Sequence, residues 1–535
     1  MKTMRLALAA LAILGLAACE GGGVDLNVAN TDNSTDNSGG GGGGDDDNPC
    51  ASYTPDGATE EVQGDFDGTN CVYGADFVGQ SNPLLADLTI PFITGKHIFE
   101  DSLFVGEDVD TGAAPAAGEG PTLTIAAGNT LVFQDAADYV LINRGSRIVA
   151  NGSPTAPITF TSFTDAINGT AGANDVQQWG GMVINGNGIT NNCGDDDRAN
   201  GTCHVLSEGQ PSHYGGADNA EDSGSLQYVV IKHTGFEVAP GNELNGITFN
   251  AVGSGTVVEN VQVYSTYDDG FEFFGGAVNL TNAIALYVRD DSFDYSDGYV
   301  GTITNGLAIH WRSDGNRCIE GDNIGEVRAA DGVDLATAPL TEPTIINMTC
   351  ITSNQDLATG GTHDDSEGAT MRRGAKLVLA NSIFYSAYGT TVNAATSNEC
   401  YEIDDDDGVS RAFAAANDVF NVQNTVIACE EAVKDSLANG DTIEEWFLGA
   451  NPSTNGADYS FNVGNFVITD ATNANVQVLQ PGTFYTAAAI VDAGGTTVIA
   501  DTTGLGAVQG NDDWTSPWAF GLDPSNADEP LWFVP

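Results

Sequence analysis

Basic residues are scarce in this sequence. It carries 16 Lys and Arg against 74 Asp and Glu, for a net charge of −58. That imbalance excludes nucleic acid as a partner held by charge, and anionic lipid surfaces with it. It suits solubility in a saline medium and attraction of cations. Histidine is equally sparse: the six present are scattered, with no H-E-x-x-H and no triad order. P-loop and G-x-S-x-G motifs are missing, and Gly186-Asn187-Gly188 lacks the third glycine of a dinucleotide fold. Helical i, i+3, i+4, i+7 periodicity is absent beyond the amino end. No later apolar run approaches the roughly 20 residues that cross a bilayer.

The amino end has its own logic. Lys2 and Arg5 precede an apolar stretch, Leu6 to Leu16, and small residues Ala17 and Ala18 lead to Cys19. A basic start, a short apolar core and a small-residue cleavage site predict a secretory signal over 1–18. Leu16-Ala17-Ala18-Cys19 resembles the lipobox of bacterial lipoproteins. The resemblance implies cleavage before Cys19 and acylation of that residue, hence a membrane partner reached through a lipid anchor. Glu20, where an aspartate favours inner-membrane retention, points to the outer membrane. Residues 19–48, rich in Gly, Asn, Asp and Ser, have nothing to bury and form a tether reaching roughly 30 Å.

Nine cysteines less Cys19 leave eight, and none has the C-x-x-C spacing of a zinc or redox site. An even number in an exported chain reads as disulfides. Sequence-local couples are expected: Cys50–Cys71, Cys193–Cys203, Cys318–Cys350 and Cys400–Cys429, as staples closing surface loops.

From about Pro121, strand-length apolar runs such as Leu123-Thr124-Ile125 and Leu131-Val132-Phe133 are punctuated by Gly128, Gly145 and Gly152. Within them lies a repeat. Val258-Glu259-Asn260-Val261, Leu280-Thr281-Asn282-Ala283 and Ile303-Thr304-Asn305-Gly306 match at intervals of about two dozen residues, and Asn347, Asn381 and Asn424 continue the series at longer intervals. Three short strands and three turns per repeat predict a coil that buries its apolar face only by stacking on neighbours about 4.8 Å away. A propeller blade needs about 40 residues, which argues against that architecture. An inward asparagine suits a tight corner and can ladder to its counterparts above and below. The pattern resembles the right-handed parallel β-helix proteins of the pectin-lyase-like group. The fold class expected is therefore all-β: a parallel β-helix over 115–435, an amino-terminal cap over 49–114 and a β-rich carboxy-terminal cap over 436–535. Trp446, Trp514, Trp518 and Trp532 would anchor the latter.

The same offset stacks carboxylates. Asp268-Asp269-Gly270-Phe271-Glu272 is followed by Asp290-Asp291-Ser292-Phe293-Asp294, with Asp297 close by and Arg312 one repeat after Asp290. Like charges one rung apart cost about 1 kcal/mol in water and several times more near a protein surface. Calcium, which takes 6–8 oxygens at about 2.4 Å, would offset that cost. Asp268, Asp269, Glu272, Asp290, Asp291, Asp294 and Asp297 are the expected calcium ligands, with Arg289 and Arg312 as the competing means of balance. Tyr267-Asp268-Asp269-Gly270 is also similar to the paired aspartates of polygalacturonases, but no Gly-His-Gly and no Arg-x-Lys accompanies it. Two further acidic stretches, His363 to Glu367 ahead of Arg372-Arg373 and Glu402 with Asp404 to Asp407, read as solvated loops.

The sequence therefore predicts an outer-membrane or cell-surface lipoprotein whose non-catalytic body binds calcium and a glycan or envelope protein. The alternative is a polysaccharide lyase or glycoside hydrolase using Asp268, Asp269, Asp290 and Arg312, with Lys232 and Arg289 as further bases.

Overall fold

The computed structural model describes residues 48–109, 112, 118–209, 211–239, 242–311, 314–352, 366–386, 399–404, 409–417, 420–429, 465–467, 477–480, 482–491 and 494–523. The signal segment, Cys19 and nearly all of the tether lie outside them, as do Arg312, Trp446, Trp532 and Asp405 to Asp407.

Parallel pairing organises the chain from Cys71–Tyr73, which pairs with His97–Phe99, to Phe466–Val467, which pairs with Val426 and Ile427. Each coil gives a short strand to each of three faces. In one coil Phe271–Phe274 lies on face A, Asn279 to Thr281 on face B, and Ala283 to Leu286 on face C. Face A is a nine-stranded sheet running from Leu103–Val105 to Tyr401–Ile403. Faces B and C share one 19-stranded sheet, because in the central coils a single strand bends from one face to the other. The body is thus a parallel β-helix. Its described helices are short: Phe163–Ala166, Asp195–Asn200, Glu326–Ala330 and Ser410–Ala416.

The bend is made by the repeated asparagine. Asn260, Asn282, Asn305, Asn347, Asn381 and Asn424 all hold φ between 45° and 60°, the left-handed region that asparagine tolerates best among residues with a side chain. Asn282 Nδ2 donates to Asn260 Oδ1 at 3.0 Å, Asn305 to Asn282 at 2.8 Å, Asn347 to Asn305 at 3.1 Å, and Asn424 to Asn381 at 2.8 Å. Tyr228 takes the corner one coil earlier, at φ 52°, between the pairs Gln227–Glu259 and Val229–Val261. Inside, alternate residues of each strand stack on their counterparts. Phe271 and Phe293 lie 5.1 Å apart, Phe249 and Phe273 5.4 Å, and Phe133 and Trp179 4.4 Å, all nearly coplanar. Such pairs add about 0.5–1.5 kcal/mol each beyond their buried area.

Three expectations change. Parallel coils begin near Cys71, so only the antiparallel pairs Ser52–Tyr53 with Val62–Gln63, and Asp65–Phe66 with Cys71–Val72, cap the amino end. In the carboxy-terminal region Phe466–Val467 still pairs in the parallel stack, while the described residues from Gln477 onward run down the side of the solenoid as a strap. Gly506 N donates to Asn381 O and Ala507 N to Thr349 Oγ1, each at 2.8 Å. Further on, Phe520 and Gln262 exchange two hydrogen bonds of 2.7 and 2.9 Å. Val508, Trp518 and Leu522 cover Ile284, Leu286, Leu307 and Ile309 of face C, with Trp514 packed at the margin. Face C is apolar outside as well as inside, and the strap is what removes that outer surface from water. The third change concerns the disulfides. The four bonds join the sequence-local couples, but Cys318–Cys350 and Cys400–Cys429 are fully buried and tie face A to face C. Only Cys193–Cys203 closes a loop in the expected sense, around the helix Asp195–Asn200.

Candidate metal centre

Register places the acidic repeat in vertical columns on face A. Glu272 pairs with Asp294, which pairs with Glu320. This column continues Phe104, Leu141, Val183 and Thr248 from earlier coils, so the outer side of face A passes from apolar to acidic along the axis. Beside it, Asn245 Oδ1 accepts from Asp269 N at 3.0 Å, Asp269 Oδ1 from Asp291 N at 3.0 Å, and Asp291 Oδ1 from Arg317 N at 2.8 Å. Each of these side chains ties its own coil to the next. Gly270 makes the close stacking possible: a Cβ there would lie 2.7 Å from Ser292 O.

Carboxylate oxygens converge in three overlapping groups, Asp268–Asp269–Asp290, Asp269–Glu272–Asp294 and Asp291–Asp294–Glu320. Within each group one oxygen per residue lies no more than 4.8 Å from the others. Oxygens bound at about 2.4 Å to one ion sit at most about 4.8 Å apart, so the spacing admits calcium. An all-oxygen donor set suits a hard cation. Asp294 Oδ1 is buried with no hydrogen-bond partner among the described residues. Its neighbour Glu272 accepts from Asn245 Nδ2, and Asp290 Oδ1 accepts from Asn316 Nδ2 at 2.8 Å.

The charge balance differs between the two ends of the column. At the upper end Arg317 meets Glu320 at 2.8 Å and Glu367 at 3.4 Å, Arg372 meets Glu320 and Asp322, and Arg373 meets Asp322 at 2.8 Å. At the lower end, none of the ion pairs among the described residues reaches Asp268, Asp269 or Glu272. Burial, and then the surrounding carboxylates, push Asp268, Asp269 and Glu272 well above the usual carboxylate range. Asp294 is raised by burial and by Glu320 and Asp322, against the pull of Arg372. An anionic cluster that is expensive to ionise alone is stabilised by a proton or by a cation.

Six of the seven expected ligands come together. Asp297 does not: it pairs with Arg328 at 3.2 Å and accepts from Asn192 Nδ2 at 2.5 Å. It also turns the chain at φ 55°, which directs it to the loop around Asn191 and Arg328. Arg289 balances Asp314, at 3.2 Å, and Lys232 is buried against Asp165 at 2.8 Å. The expectation that Arg312 stacks above Asp290 relied on an uninterrupted offset. The turn closed by Trp311 and Asp314 lengthens this coil, so Asn316 and Arg317 occupy the rung above Asp290 and Asp291. The same insertion hid Glu320 from the repeat. Glu208 and Glu243 were also missed, since they come from inserted segments with no periodic signal. Glu208 is exposed over much of its surface, yet it hydrogen-bonds Glu272 and rises to about 7 through desolvation and the charges of Glu243 and Asp297. For so open a side chain, the neighbouring carboxylates are the weightier cause.

A family model described as a pectate-lyase-like beta helix domain matches residues 111–460. No curated protein and no solved structure matches the chain.

Proposed function

The chain belongs to the pectate-lyase-like β-helix domain family, and from that premise we propose that it is an outer-membrane lipoprotein, anchored through Cys19, whose body binds calcium on face A. Through that ion it binds an acidic glycan or an envelope protein, without catalysis. The observation that carries the reading is the asymmetry of face A. Carboxylates packed in overlapping groups of three, with oxygens within 4.8 Å inside each group, are matched by arginines at one end only among the described residues. Asp268, Asp269, Glu272, Asp290 and Asp294 would hold the ion, with Asp291 and Glu320 completing the set toward the arginines. Calcium there removes the mutual repulsion and supplies the positive charge that an acidic ligand needs on a molecule of −58. The polysaccharide lyase or hydrolase alternative has less support, because two of its candidate bases, Lys232 and Arg289, are engaged by Asp165 and Asp314.

Isothermal titration of the full-length chain in detergent with calcium is the test. Affinity should fall near the roughly 10⁻⁴–10⁻³ M of extracellular calcium modules, and Asp269→Asn should abolish it. Absence of binding heat tenfold above that range rejects the calcium site. A polysaccharide-degradation screen run alongside, with and without calcium, bears on the remainder: product release lost on Asp269→Ala makes the protein an enzyme.

A further inference from the structure

Face B has a character opposite to that of face A. Its strands present two outward positions each, on either side of one inward aliphatic residue, as in Asn279-Leu280-Thr281 and Thr302-Ile303-Thr304. Pairing stacks these positions into two columns. The first spans ten coils, from Thr89 through Val149 and Val257 to Asn279, and on through Thr302 and Val378 to Asn421. The second runs from Asn151 through Glu259, Thr281 and Thr304 to Gln423. Glu259 is the one charge in either column, and it accepts from Gln227 Nε2 at 2.8 Å. Along the margin toward face A, Arg147, which is paired with Asp222, and Lys376 stand against Asp87 and Glu342. Val257 is 40 % exposed and Val300, at that margin, 41 %, so apolar surface is left open to water here.

We propose that face B is the surface through which two copies of this chain pair, about a two-fold axis parallel to the solenoid. Charge is the first reason. Copies of a molecule of −58 repel each other wherever acidic surfaces meet, and face B lets them approach with one carboxylate per copy in its columns. Symmetry is the second. An axis parallel to the solenoid lays the first column of each copy over the second column of its partner, coil against coil. Thr302 then meets the partner's Thr304, and Val378 meets the partner's Ala380. Glu259 meets the partner's Val257, so the two carboxylates do not face each other. The same axis leaves both amino ends on one side, as anchorage of each copy through Cys19 requires. That orientation rests on the lipoprotein reading; the pairing itself does not. Size is the third. Nine steps of about 4.8 Å make a length of about 43 Å, and four residue steps of about 3.4 Å a width of about 14 Å. About 600 Å² per partner, or about 1,200 Å² in all, reaches the lower bound of specific interfaces. Finally, the side chains are held before pairing. Ser225 Oγ donates to Asn151 Oδ1 at 2.8 Å, and Thr302 N to Asn279 Oδ1 at 2.9 Å, so little rotamer freedom is lost.

Sedimentation equilibrium of the full-length chain in density-matched detergent, with micelles in excess and a calcium chelator present, tests this. The chelator keeps face A out of the contact, so the outcomes bear on face B alone. The chain should show a monomer–dimer equilibrium with a dissociation constant of roughly 1–100 µM. Thr281→Glu combined with Thr304→Glu should weaken it at least tenfold. Leu206→Glu, on an exposed hairpin held to face A through Ser207 and Asn185, should leave it unchanged. A second measurement serves if the double variant does not fold. A short bismaleimide should join Asn279→Cys copies to Thr281→Cys copies when the two are mixed, and should join either variant alone several-fold less. A wild-type chain that stays monomeric at about 1 mM overturns the proposal and leaves face B to another class of partner. So does a folded double variant that associates like the wild type, or cross-linking no greater in the mixture than in the separate variants.

Discussion

At the scale of single residues, the chain sets ionisable groups against each other across the pH range. Asp268, Asp269, Glu272 and Asp294 are raised by burial and by the carboxylates around them. Groups raised in the folded state stabilise it fully below their unfolded values, near 4, and lose that contribution as pH rises through the folded values. Without calcium, the melting temperature should therefore fall between pH 5 and pH 8. Calcium should restore it most at pH 8, and Asp294→Asn should flatten the fall; a melting temperature that rises across this range contradicts the cluster's electrostatics. His97 and His310 act from the other side. Burial lowers both to about 4, so the unfolded chain takes up protons first. Their contribution is complete above pH 6.5 and is lost as pH falls toward 4. Replacing buried His310, which meets Ser366 Oγ at 2.6 Å and Ser292 Oγ at 3.2 Å, by Gln should move the acid transition to lower pH in circular dichroism.

At the scale of the coil, the asparagine corner combines two requirements that other residues meet one at a time. Asn282→Ala removes a donor to Asn260 and an acceptor from Asn305 while leaving φ at 60°. Two hydrogen bonds at about 1 kcal/mol each and about 1 kcal/mol of left-handed strain suggest a loss near 3 kcal/mol in urea denaturation. Asn282→Gly should lose less, since glycine keeps the angle. Equal losses for the two variants would show that backbone conformation plays no part. This corner was legible in the sequence because asparagine recurs with an inward aliphatic residue two positions earlier, and a period of about two dozen residues fixes register. The same period foretold Asp269 over Asp291 and Glu272 over Asp294. It failed one coil later, where the turn at Trp311 shifts the count and Glu320 takes the place next in the column. Periodicity reports on regular coils and says nothing about residues delivered by insertions, which is why Glu208, Glu243 and the arginine pairs had no signal.

At the scale of the whole molecule, the strap was the least legible part. Its residues 477–523 have no repeat, and the apolar outer side of face C reads in sequence as ordinary core. Tyr264, Leu286, Ile309 and Ile351 align on that outer side, and the strap covers them. Lys232 Nζ, 3.9 Å from the centre of the Phe520 ring, adds a cation–π contact at its far end. Truncation before residue 477 should leave the coils paired, with an unchanged β signal in circular dichroism. It should also expose a stripe that binds a hydrophobic dye and promotes aggregation; a truncated chain that stays monomeric and dye-free would falsify the strap's role. Finally, the corner amides all point one way: every ladder bond has its Nδ2 on the later coil and its Oδ1 on the earlier one. Within the runs Asn260–Asn282–Asn305–Asn347 and Asn381–Asn424, a stack that lengthens from the amino terminus therefore ends in a waiting acceptor, and the next stretch of polypeptide arrives carrying the complementary donor. Between the two runs Asn347 Oδ1 keeps no hydrogen-bond partner among the described residues, so growth in the order of synthesis is templated within each run and must restart at Asn381.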